Sequence, residues 1–117
     1  MAHNQIKGNR KGLKVWNVGD KEYHRLYDTV IVDYNHDSEG RTVTLNTGGW
    51  KTNHTKNCIN DFLKRFGFKI YQKNFVWYVR GREVSFSFDV DKVTFTIIDT
   101  PMGLQIGNFR EEVIRSA

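Results

Sequence analysis

The sequence predicts an α+β domain that is mostly antiparallel β-sheet: a β-β-α unit, then a four-stranded meander, with one main helix and a short C-terminal helix. Composition supplies the first observation, since Val and Ile total 19 against 7 for Ala and Leu, and aromatics reach 14%. Branched and aromatic side chains suit a pleated surface, whereas Ala and Leu favour helix. The second is that Pro101 is the sole proline, so almost every residue can donate to a sheet ladder. The third is periodicity, helical over one stretch and two-residue after Gly67.

At 117 residues the chain is one domain's worth, long enough to bury a core without disulfides or a structural metal. No apolar run nears the ~20 residues of a membrane span. Met1-Ala2-His3-Asn4 lacks a signal-peptide stretch, so a soluble, cytoplasmic protein is expected. One cysteine, Cys58, excludes a disulfide framework and a multi-cysteine zinc site.

Residues 1–12 are rich in Gly, Asn and bases and read as a mobile basic arm before a single domain over 13–117. Leu13, Val15 and Val18 mark a short strand, and Tyr27 to Tyr34 a buried one. Residues 35–40 read as a hairpin loop, with Gly40 suited to positive φ. From Arg41 to Asn46 the pattern alternates, placing Val43 and Leu45 on one face. The helix follows: Ile59, Phe62, Leu63 and Phe66 sit at i, i+3, i+4 and i+7. Thr52 or Asn53 caps its start, Gly67 ends it, and Lys64 and Arg65 complement the dipole in its last turn.

The meander is assigned to 68–72, 75–80, 83–90 and 93–98, with turns at Lys73-Asn74, Arg80-Gly81 and Asp91-Lys92. Those turns pair Ile70 with Trp77, Trp77 with Val84, Phe75 with Phe86 and Phe88 with Phe95, so one face is wholly apolar. The other face then shows Lys69, Tyr71, Val76, Tyr78, Glu83, Ser85, Ser87, Thr94 and Thr96. Leu104 to Ile106 adds a strand, and Asn108 caps a short final helix holding Phe109, Val113 and Ile114.

Charge is uneven. The net charge is +5, and residues 51–73 alone carry six bases against Asp61. A basic segment of that kind attracts polyanions, and its ordinary alternative is a solvated helix face. Lys69, Tyr71, Tyr78 and Arg80 add an aromatic and basic patch of the type on which single-strand bases stack. The ordinary alternative is a sheet face that packs under another element.

The stretch Thr42-Val43-Thr44-Leu45-Asn46-Thr47-Gly48-Gly49-Trp50-Lys51-Thr52 is the most distinctive. Gly48, Gly49 and Thr52, between a strand and a helix start, form a candidate anion-binding turn. The alternative is a tight turn with Trp50 stapling helix to sheet. With Thr55-Lys56 and Ile59-Asn60, this stretch is similar to a motif in small, mostly uncharacterised bacteriophage proteins. The similarity covers about residues 27–80. It implies a viral origin, raises host-takeover or anti-defence roles, and carries over no activity.

Catalysis finds little support. His36, Asn46 and His54 loosely resemble a His-Asn-His nuclease across a β-β-α pattern, without a placed second carboxylate. Asp89 and Asp91 lack a companion Glu-x-Lys, and Cys58, four residues after His54, borders the apolar stripe. The expectation is therefore a non-enzymatic, phage-type nucleic-acid-binding module without cofactor or metal. Lys51, Lys56, Lys64 and Arg65 would meet phosphates, with Lys69 and Arg80 beside them, while Trp50, Tyr71 and Tyr78 stack. The competing expectation is an inhibitor that binds a host protein through the same sheet face.

Overall fold

The computed structural model describes residues 10–88 and 90–112. Its strands form two antiparallel sheets. The larger joins β1 (Leu13–Val18), β2 (Lys21–Leu26), β3 (Thr29–Asp37), β4 (Gly40–Asn46), β8 (Lys92–Thr100) and β9 (Gly103–Glu112) in the spatial order β1-β2-β3-β4-β8-β9. The smaller is β5 (Lys69–Lys73), β6 (Val76–Arg80) and β7 (Ser85–Phe88), in that order. Helix α1 (Asn53–Leu63), continued by a 3₁₀ turn at Lys64–Phe66, connects β4 to β5.

The apolar stripe of α1 explains its place. Thr55, Cys58, Ile59, Phe62 and Leu63 recur at helical spacing and are all buried. Phe62 meets Tyr34 edge to face at 5.3 Å, which lays the helix on the large sheet. Each such aromatic or aliphatic burial stabilises by about 1.5–3 kcal/mol. Thr52 is the N-cap, its side chain accepting from the Thr55 amide, and Gly67 ends the turn at φ +80°. On the far side, Asn60 replaces a neighbouring strand: its side-chain amide donates to the Ile70 carbonyl at 3.0 Å and accepts the Ile70 N–H at 2.6 Å. The outer edge of β5 is thus covered. The small sheet packs on β8 and β9 through Phe68 against Phe95 and Phe86 stacked on Phe109.

Several expectations need correction. Four strands precede the helix, where the β-β-α unit with the short Leu13–Val18 strand ahead of it makes three. The unforeseen β2 runs Lys-Glu-Tyr-His-Arg-Leu, with polar Glu22 and His24 on its buried face, so it lacks an apolar alternation. Tyr27 falls in the β2–β3 turn with φ +53° rather than in a strand.

The meander stops after three strands. β8 pairs with β4, setting Val43 opposite Phe95 and Leu45 opposite Val93, so neither Phe88–Phe95 nor Val90–Val93 pairs form. The β5–β6 turn is Asn74-Phe75, one residue later than expected, which pairs Ile70 with Val79 and Gln72 with Trp77. β7 is shorter than 83–90 and also re-registered, with Trp77 opposite Phe88. Both slips are even-numbered, so Ile70, Trp77 and Phe88 still face the core, while Phe75 and Val84 are exposed. Thr94 and Thr96 consequently lie in the large sheet, away from the tyrosines.

The expected Leu104 to Ile106 strand is present but runs on as β9, so Phe109 lies in strand rather than in a C-terminal helix, and Asn108 takes φ +50° beside a register shift instead of capping a helix. Val113, Ile114, Asp89 and residues 1–9 lie outside the described residues. Of the expected basic arm, Arg10 is ion-paired to Asp61 at 2.8 Å.

Candidate nucleic-acid interface

The outer face of the small sheet brings four of the sequence-derived residues together. Register sets Lys69 opposite Arg80 and Tyr71 opposite Tyr78, all with the same parity. The tyrosine rings stack with centroids 5.0 Å apart and planes 10° from parallel. Tyr71 reaches across β6, its hydroxyl donating to Ser85 Oγ at 3.3 Å. Lys69, Arg80 and the neighbouring Lys73 are exposed and have no carboxylate partner among the described residues. The result is a paired aromatic shelf flanked by three cations.

The strand-to-helix turn is a second cluster. Gly48 and Gly49 have φ +63° and +89°, and a Cβ on Gly48 would fall 2.7 Å from Thr29 Oγ1, so both geometry and space demand glycine there. Its amides are occupied internally: Gly48 N–H donates to Asn46 Oδ1, Gly49 N–H to Thr47 Oγ1, Trp50 N–H to the Thr47 carbonyl, and Thr52 N–H to the Trp50 carbonyl. The two glycine amides thus point to acceptors within the turn rather than to an anion. Trp50 is 67% exposed and so is no staple between helix and sheet. The Lys51 ammonium lies 5.7 Å over the Phe88 ring, and Lys56 is half-buried on the first turn of α1.

Lys64 and Arg65 sit at the opposite end of α1, about 15 Å further along its axis. Lys64 stays 3.9 Å from Asp61. Arg65 is committed to the fold: its guanidinium clamps the Glu22 carboxylate through both terminal nitrogens and covers the Phe62 ring at 4.9 Å. Glu22 also accepts from His24 Nε2 at 2.6 Å. Burial pushes the Glu22 carboxyl up, but these bonds and the Arg65 charge outweigh it and hold the group at about 2. Sequence reasoning missed this cluster. Its one signal was two polar residues of equal parity in β2, and the long-range partner was invisible.

The nuclease-like residues do not converge. His36 pairs with Arg41 at one end of β4, while Asn46 lies at the other and bonds Gly48. His54 Nε2–H donates to the Lys11 carbonyl at 2.8 Å. Burial pushes the Cys58 thiol up, away from thiolate reactivity.

The family model described as Kyanoviridae Gp96 protein matches residues 14–96. The chain belongs to this bacteriophage family. The match runs from β1 into β8, taking in the glycine turn and the whole tyrosine face and leaving out β9. It extends past both ends of the 27–80 stretch on which the resemblance to phage proteins rests, and the family's function is uncharacterised. No curated protein and no solved structure matches the chain.

Proposed function

We propose that this Gp96-family protein is a non-enzymatic module that binds single-stranded nucleic acid in the host cytoplasm. The observation that carries the reading is the stacked, half-buried Tyr71–Tyr78 pair with exposed Lys69, Lys73 and Arg80 around it on one face of the small sheet. Bases stack on such rings regardless of sequence, at about 1–3 kcal/mol per base, while the cations follow the phosphates. The concentration of positive charge in residues 51–73 supports the same partner, because this segment supplies Lys69 and Lys73 to the face. Arg65 drops out of the phosphate contacts, since Glu22 holds it. Fluorescence anisotropy with a labelled single strand tests the proposal. Tyr71→Ala with Tyr78→Ala should weaken binding at least tenfold, and unchanged affinity would refute the site.

A specific observation favours the competing reading, a phage inhibitor of a host protein. Phe75, at the β5–β6 hairpin tip, is 94% exposed and adopts φ +68°, an unfavourable conformation for a bulky residue. An aromatic held out at that cost resembles an interface anchor. Salt separates the readings: phosphate contacts weaken steeply as salt rises, whereas an apolar contact does not.

A further inference from the structure

Between the β2–β3 turn and the start of α1 lies a cavity of about 370 Å³, within the range of small-ligand sites, roughly 300–1,000 Å³. Its floor is apolar, built from buried Leu26 and Ile31, and its mouth carries Tyr27 and Trp50, 56% and 67% exposed. Tyr27 is locked in place. Its amide donates to the Gly12 carbonyl at 2.9 Å, its φ is +53°, and a Cβ on Gly12 would sit 2.4 Å from its ring. Backbone strain of this kind persists where surroundings over-determine it, and it clusters at ligand sites.

The polar groups of the wall define what would fit. The Thr47 hydroxyl donates to Asp91 and accepts from Gly49, and the Thr52 hydroxyl donates to Thr55 and accepts its amide, so both are engaged. His54 uses Nε2–H on the Lys11 carbonyl, which leaves Nδ1 as an acceptor on the neutral ring. Asp28 adds an exposed carboxylate. No lysine or arginine lines the cavity among the described residues, whereas Lys51 and Lys56 directly adjoin its wall in sequence. The slot therefore suits a flat, apolar-faced ring with N–H donors on its edge, and the anionic part of such a ligand belongs outside.

We propose that this cavity takes one nucleobase, its face against Trp50 and Tyr27 and its amino edge toward Asp28 and His54. The inference deepens the nucleic-acid reading, since the base would come from a bound strand or from a free nucleotide, and the test separates both the sources and the readings.

Trp50 is the natural reporter, because Trp77 is buried and Trp16 is stacked on Tyr23. The full chain is titrated with adenosine and cytidine monophosphates, with ribose phosphate as the baseless control, while tryptophan emission is followed. Saturable quenching by the nucleotides alone is expected, lost in Trp50→Phe. Asp28→Asn should weaken nucleotide binding about tenfold, the loss of one edge-reading contact. Quenching by ribose phosphate, or full affinity in Asp28→Asn, overturns the assignment. Anisotropy with a labelled single strand runs in parallel. A strand that binds while no nucleotide quenches removes the cavity proposal and leaves the tyrosine face. Nucleotide quenching without strand binding does the reverse and identifies the free nucleotide as the source.

Discussion

Glu22 shows how a single residue can be structural while lying in a basic, polar setting. It is held at about 2 by His24 and Arg65, against a usual value of 4.5. Above about 4.5 it is ionised in both folded and unfolded chains, and its ion pair contributes fully to stability. Between 4.5 and about 2 the unfolded chain takes up a proton that the folded chain does not, so stability falls as pH falls. Glu22→Gln should therefore cost about 2 kcal/mol at neutral pH and flatten the decline between 4.5 and 2. Urea unfolding across that range measures both effects, and an unchanged acid slope would contradict the account. At this scale the sequence was partly legible. Parity alone put Lys69, Tyr71, Tyr78 and Arg80 on one face, but it could not show that Arg65 is taken by Glu22, forty-three residues away.

Elements were legible where the pattern is local. The stripe of α1, its Thr52 cap and its Gly67 end all follow from spacing and side-chain chemistry. Pairing between distant strands was not legible, because the Val93, Phe95 and Ile97 alternation of β8 fits β7 or β4 equally well. In β9 the Leu104 to Ile106 alternation was legible as strand, whereas Phe109 with Val113 and Ile114 follows helical spacing in the sequence, which hid the continuation of the strand through Phe109. The β5–β6 hairpin offers a direct test of retained strain. Both turn residues, Asn74 and Phe75, have positive φ, as a type I′ turn requires, and Asn-Gly is its preferred pair. Phe75→Gly should stabilise the protein by about 1 kcal/mol, seen as a raised Tm. A lowered Tm would mean that the Phe75 ring supports the fold. The edge of β5 makes an opposite prediction. Asn60→Leu removes both bonds to Ile70 and should cost about 1–3 kcal/mol by urea denaturation. Truncating buried Trp77 to Ala should cost more, about 3–5 kcal/mol.

At the scale of the whole molecule, one basic and aromatic face stands out on a mixed-charge surface. The two sheets and α1 enclose the core, the small sheet carries its tyrosines on the other face, and residues 51–88, which span the helix and that sheet, hold eight bases against Asp61 and Glu83. Affinity should thus be electrostatic in reach and aromatic in contact. The most direct test is the salt dependence of single-strand binding by anisotropy, comparing the parent with Lys69→Ala plus Arg80→Ala. Each phosphate contact on a single strand contributes about 0.7 to the log–log salt slope. The parent is predicted to lose affinity steeply with salt, and the double variant to show a slope shallower by about 1.4 with its Tm unchanged. A parent that binds no strand at low salt, or a variant with the parent's slope, would contradict the account.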